Sequence, residues 1–212
     1  MRDPVKIAVM VSGGGTNLQA LIDAQRAGTL HSGKIVLVIS SKEGAYALGR
    51  AQAVGIPSAT VPRKAFESQE AFENAISGLL WEYQVELIVL AGFLSILSAD
   101  FTGRWKKRIL NVHPSLIPAF CGKDFYGLKV HEAALDRGVK VTGATVHFVN
   151  EIPDGGEIIL QKAVAIREKD TPESLQQRVM RQAEWKILPK ATELVSAEII
   201  RQENREENQK RR

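Results

Sequence analysis

Three short apolar runs set the rhythm of the N-terminal half of this chain. Val5–Val11 and Ile35–Ser40 are rich in β-branched residues, and Leu87–Ala91 (Leu-Ile-Val-Leu-Ala) is apolar throughout, the pattern of a strand buried on both faces. Between them the period changes. Phe72, Ala75, Ile76, Leu79, Leu80 and Tyr83 recur at the spacing of one helix face. Gly28 and Gly55 each follow a helical segment, where a left-handed terminating residue is expected. Ile56–Val61 reads as a third strand, weakened by Pro57. The resulting order β-α-β-α-β-α-β is that of a doubly wound parallel sheet.

The second half has a different pattern. A strand over Ile109–His113 is followed by a loop and a short helix around Val130–Arg137. Lys140–Val149 and Glu157–Ile166 read as two strands, and the loop between them is too short for a parallel crossover, so they are expected to be antiparallel. Thr171 and Pro172 form the N-cap and first position of a last helix, which should run toward Ile200 and break near Pro189. The expected fold is α/β: a doubly wound, mostly parallel, Rossmann-like sheet of about seven strands with an antiparallel part in the C-terminal half. Residues 1–200 are expected to form a single domain, and 201–212 a polar, disordered tail.

Composition adds limits. With 44% hydrophobic and 25% charged residues in 212, the chain is that of an ordinary globular protein. Two units of its +4 net charge come from the tail, with five basic and three acidic residues, which is poor ground for a nucleic-acid partner. Cys121 is the sole cysteine, so an internal disulfide is excluded and a reducing cytoplasm fits; nothing marks its thiol as an activated nucleophile. No apolar run approaches the ~20 residues that span a bilayer, and no signal-peptide core follows Met1, so a cytoplasmic location without membrane partners is expected. No His, Cys or carboxylate cluster has metal-ligand spacing, so no metal is expected.

The chemistry concentrates at three places. Alternation along a strand puts Asn111 and His113 on one face, and Pro114 ends the strand just after them, at the carboxyl edge where open α/β sheets bind ligands. Asp154, in a Pro-Asp-Gly-Gly turn, could be brought opposite. Amide, imidazole and carboxylate together suit acyl transfer: an oxyanion donor, a proton handler and a group that orients it. The third place is Ser12-Gly13-Gly14-Gly15-Thr16-Asn17, between the first strand and a helix, where free amides and a positive dipole end favour an anion, phosphate by preference. A dinucleotide site fits poorly, because Leu18 takes the third glycine position and Ser40-Ser41-Lys42 stands where a ribose-binding acid should be.

With these residues placed, the chain resembles the phosphoribosylglycinamide formyltransferases, folate-dependent enzymes of purine biosynthesis. Ser12–Asn17 resembles their phosphate turn, Ala91–Ser98 their folate-pocket segment, Asn111–Pro118 their catalytic strand, and Val146–Val149 through Gly156 their catalytic loop. The resemblance spans roughly residues 5–190. It implies transfer of a formyl group from 10-formyltetrahydrofolate, a co-substrate rather than a tightly bound cofactor, to the amine of 5-phosphoribosylglycinamide. It implies that Asn111 binds the formyl oxygen and the oxyanion derived from it. His113, as imidazolium, would protonate the departing folate nitrogen, and Asp154 would hold it charged. Gly15, Thr16 and Asn17 would bind the substrate phosphate and Glu184 the ribose side. Leu94, Ser95, Ile96 and Leu97, with Asn111, would form the folate site, and His147 would belong to the pocket or only to the core.

Three positions depart from the family pattern. Ser95 stands where many members have a basic residue, Gln69 where some have an arginine, and Trp185 in place of the histidine that commonly follows the acid matched by Glu184. The catalytic motifs are shared with other formyltetrahydrofolate-using enzymes. The alternatives are therefore an amino-sugar nucleotide formyltransferase, a deformylase, or a non-catalytic nucleotide-binding module. The partners implied are small molecules, with a monomer or homodimer both compatible. His31 and His131 are expected at the surface.

Overall fold

The computed structural model describes residues 2–210. They fall into two compact units, one of Ser95 and the described residues before it together with those from Pro189 onward, the other Ile96–Leu188.

In the first unit the elements alternate as the apolar runs require: β1 (Val5–Val11), α1 (Thr16–Arg26), β2 (Gly33–Ser40), α2 (Tyr46–Gln52), β3 (Ser58–Thr60), α3 (Gln69–Glu82) and β4 (Leu87–Leu90). The strands lie in the order β3-β2-β1-β4 and pair in parallel. Every residue of β4 is buried, and Ile7 through Val11 of β1 have no exposure. From α1, Leu18, Leu21 and Ile22 are buried; from α3, Phe72, Ile76 and Leu80. Gly28 and Gly55 take φ of 72° and 70°, the left-handed conformation expected after a helix. The third strand is shorter than Ile56–Val61. Pro57 has no N–H to give, and its carbonyl accepts from Val38 instead.

The second unit holds α4 (Ala99–Arg104), β5 (Ile109–His113), α5 (Leu128–Arg137), β6 (Val141–Phe148), β7 (Ile158–Ala165) and α6 (Pro172–Val179). Its strands lie in the order β5-β6-β7 and are antiparallel, so among the described residues the seven strands form a mixed α/β fold, parallel first and antiparallel after. α4 has no counterpart in the apolar pattern, although Ser98 caps it by accepting from the Phe101 amide at 3.1 Å. α6 begins as expected, with Thr171 and Ser174 forming a reciprocal cap and Pro172 at its start.

Two expectations are corrected at the C-terminal end. The last helix does not break at Pro189, which lies inside α7 (Trp185–Lys210); the irregularity comes earlier, as a π turn over Met180–Glu184. The tail expected to be disordered is helical from Arg201 to Lys210, while Arg211 and Arg212 lie outside the described residues. Its residues are good helix formers, and local pairs reinforce them: Gln202 donates to Glu198 at 3.2 Å, and Arg201 lies 3.5 Å from the same carboxylate. Glu203 adds a non-local pair with Arg2 at 2.6 Å.

Candidate active site

Strand alternation and one tight turn assemble the central cluster. Asn111 and His113 project from the same face of β5, whose intervening Val112 and preceding Leu110 are buried. β6 runs antiparallel beside it and sets His147 opposite Asn111. Asp154 lies in the β6–β7 connection with φ of 56°. Gly156, two residues on, passes so close to the Phe148 carbonyl that a Cβ there would lie 1.7 Å from its oxygen. The turn therefore demands a glycine, and its tightness brings the carboxylate back over β5.

Asp154 is the hub. Its Oδ2 lies 3.4 Å from His113 Nδ1 and accepts from the Gly122 amide at 2.9 Å. Its Oδ1 accepts from Asn111 Nδ2 at 3.4 Å and lies 3.5 Å from His147 Nε2. His147 Nδ1 lies 2.8 Å from the Phe148 carbonyl, and its Nε2 lies 3.2 Å from Asn111 Nδ2. His113 Nε2 is 2.8 Å from the Phe120 carbonyl and donates to it, so Nδ1 carries the lone pair of the neutral ring. The structure thus brings Asn111, His113 and Asp154 together, and it adds His147.

The charges in this cluster settle differently from the resting imidazolium that the resemblance implies. Burial pushes the His113 pKa down and outweighs the upward pull of Asp154 and the Phe120 carbonyl; His147 lowers it further. The ring is neutral at pH 7. The assumed pull of the carboxylate is present, but the side chain is only 5% exposed and desolvation of the cation is the larger effect. For Asp154 the balance goes the other way. Burial raises its pKa, but the His147 hydrogen bond, the charge of His113 and the Gly122 amide together bring it below the usual carboxylate value. The resting pair is a neutral imidazole beside a carboxylate.

The loop after β5 supplies groups that no sequence motif marked. Thr145 of β6 accepts from the Ile117 amide at 3.1 Å and donates to the Ser115 carbonyl at 2.7 Å. Gln161 of β7 donates to Thr145 Oγ1 and to the Ile117 carbonyl, each at 3.0 Å. This anchoring leads the chain to Phe120, which with φ of 50° turns its carbonyl to His113. Cys121 follows; burial and the charge of Asp154 push its thiol pKa up, so it is not an activated nucleophile. His131, expected at the surface, is fully buried on α5, and its pKa is lowered to about 4 by burial and by the charge of His113. Its position three residues before buried Ala134 puts it on the inner face. His31 is exposed, 3.2 Å from Glu193.

The glycine-rich turn Ser12–Asn17, expected to bind phosphate, belongs to the first unit. Gly15 is the N-cap of α1 with φ of 69°, Gly13 and Gly14 are exposed, and Asn17 is buried. Gly15 is needed for a reason other than close approach of a ligand: a Cβ there would meet Ala47 Cβ at 2.6 Å. Ser12, at the end of β1, accepts from the Leu94 amide at 2.9 Å and lies 2.6 Å from Ser41 Oγ. The segment Leu94–Leu97, expected to bind folate, is irregular. Leu94 and Ile96 are 66% and 77% exposed, while Ser95 and Leu97 are half-buried.

Glu184 is buried within the π turn, a local irregularity frequent at functional sites, and Trp185 follows as the first residue of α7. Gln69 accepts from Arg63 at 3.0 Å and donates to Glu73 at 2.7 Å. Among the described residues no group of three or more His, Cys, Asp or Glu could hold a metal ion, and no helix is long and apolar enough to cross a membrane.

Comparison with known proteins gives the family of the chain. The model of the family described as Formyl transferase matches residues 5–192. The phosphoribosylglycinamide formyltransferase of Haemophilus influenzae is 45% identical over 184 residues, which cover 87% of this chain and 84% of that protein. The trifunctional purine biosynthetic protein adenosine-3 of Bos taurus is 44% identical over 196 residues, but the chain spans only 19% of its length. Among solved structures, glycinamide ribonucleotide transformylase 1 from Symbiobacterium toebii superposes with a TM-score of 0.86 at 40% identity, covering 93% of this chain and 90% of that one.

Proposed function

The chain belongs to the formyl transferase family, and from that premise we propose that it moves a formyl group from 10-formyltetrahydrofolate to the amine of 5-phosphoribosylglycinamide. The observation that carries this reading is the cluster of Asn111, His113 and Asp154, with a neutral imidazole held between a carbonyl and a carboxylate.

The substrate amine attacks the formyl carbon, and the carbonyl oxygen becomes an oxyanion. Asn111 Nδ2 redirects a hydrogen from Asp154 or His147 to that oxygen, a donor whose bond strengthens as charge develops. The attacking nitrogen must lose a proton, and neutral His113 has one open position, Nδ1, to take it up. The imidazolium so formed lies 3.4 Å from Asp154, which stabilises it until the proton passes to the folate nitrogen and the C–N bond breaks. The products are formylglycinamide ribonucleotide and tetrahydrofolate. Burial keeps the histidine uncharged at rest, and Asp154 makes the charged state reachable.

Gly15, Thr16 and Asn17 hold the phosphate through backbone amides at the start of α1, and Glu184 binds the ribose side. Leu94, Ser95, Ile96 and Leu97 line the pteridine site, with His147 supporting Asn111. The test is acceptor choice. Folate turnover followed by absorbance should require phosphoribosylglycinamide. Equal turnover with an amino-sugar nucleotide, or with water alone, would replace this reading with one of the alternative formyl-group enzymes.

A further inference from the structure

The glycine turn is gripped from one side by α2, the helix of the neighbouring βα unit. The Ala47 amide donates to the Gly13 carbonyl at 3.1 Å. Arg50 Nε donates to the Gly14 carbonyl at 2.8 Å, and Arg50 Nη1 donates to Gln19 Oε1 at 3.0 Å. The guanidinium is stacked over Tyr46, 4.9 Å from the ring centroid, and Gln19 is itself tied to Asp23 at 2.9 Å. Two successive carbonyls of the turn therefore point at α2.

A trans peptide sets its N–H opposite its C=O. With the Gly13 and Gly14 carbonyls directed at α2, the amides of Gly14 and Gly15 face away from it, the arrangement in which consecutive N–H groups form an anion-binding concavity. Glycines have little intrinsic preference for this arrangement over others, so an external donor must select it. The Ala47 amide selects the first peptide and the Arg50 side chain the second. Arg50 also places a permanent positive charge beside the α1 N-terminus, whose dipole has the same sign.

We infer that Arg50 is a positioning residue for the phosphate turn: it fixes the Gly14–Gly15 peptide with its amide turned outward and so sets the preference for a phosphorylated acceptor. The inference rests on the reading of the turn as the phosphate site. Arg50→Met keeps the packed stem but removes the donors and the charge, whereas Arg50→Lys keeps the charge and one donor.

The experiment compares phosphoribosylglycinamide with its dephosphorylated riboside as acceptors. In Arg50→Met the KM for the phosphorylated acceptor should rise about tenfold to a hundredfold with kcat within about threefold, as expected when ground-state binding by the turn is weakened. Its KM for the riboside should not change, and Arg50→Lys should fall between. A structural role alone would move both acceptors together or lower the thermal midpoint without the split. Titrating the parent protein with inorganic phosphate while recording amide NMR shifts tests the underlying site separately. If the amides of Gly14 to Asn17 respond but Arg50→Met binds the phosphorylated acceptor as the parent does, the positioning role is wrong. If those amides do not respond, the turn is not the phosphate site and the inference falls with it. Should Arg50→Met fail to fold, Arg50→Lys alone decides between the same two results.

Discussion

His113 is placed between opposing influences. Removal from water favours the neutral ring, while Asp154 at 3.4 Å and the Phe120 carbonyl favour the cation; the first prevails. Since Asp154 raises the histidine pKa, Asp154→Asn should lower it further. Titration of the His113 ring protons by NMR should show the midpoint moving to lower pH in the variant. An unchanged or raised midpoint would mean that the carboxylate does not act on the ring. The sequence pattern revealed that these two side chains could meet, because strand alternation and a turn are local rules. It could not reveal which influence wins, because burial of His113 is decided by the Phe120 loop, a stretch with no periodicity. His131 shows the same limit: its place beside Val130 and Ala134 on α5 was available in the spacing, but a histidine on a helix reads as polar surface until its neighbours are known.

At the scale of elements, the turn between β1 and α1 was legible as a glycine-rich connection, but what requires its last glycine was not. Gly15 is required by its left-handed φ and by Ala47 of α2. Gly15→Val should therefore cost at least about 2 kcal/mol of folding stability, from strain at positive φ and overlap with Ala47. Thr16→Ala keeps its amide and should change both stability and phosphorylated-substrate KM far less. Denaturant unfolding of the two variants checks this, and a Gly15→Val protein as stable as the parent would contradict the packing account. Apolar runs placed β1, β4 and β5 within a residue of their observed ends, since buried strands leave continuous apolar stretches. Helix ends near Pro189 and beyond Arg201 were not legible. There the outcome depends on a π turn that shifts the helical phase, and on side-chain pairs such as Gln202 with Glu198.

For the whole molecule, the buried histidines link stability to acidity. His131 has a pKa of about 4 in the folded state against an ordinary value of 6.5, so the unfolded chain binds more protons between these limits. Stability should then be full above about pH 6.5 and decline as the pH falls toward 4. His131→Leu should flatten that slope, measured by urea unfolding across the window; an unchanged slope would assign the acid sensitivity elsewhere. Asp170 contributes with the opposite origin: its hydrogen bonds and ion pair with Arg178 hold its carboxyl well below the usual range, and that stabilisation is lost only in stronger acid. In the mechanism we propose, the reacting groups all belong to the second unit, in the cluster on β5, β6 and their following loops.

The most direct test of that claim is the single-turnover rate of formyl transfer to phosphoribosylglycinamide in the parent protein and in Asn111→Ala, His113→Ala and Asp154→Asn, each first shown to be folded by circular dichroism. Loss of an oxyanion donor or of an acid–base group lowers such rates by about 10²–10⁴-fold. The account predicts losses of that order in all three. A near-parental rate in any of them would contradict it and remove that residue from the mechanism.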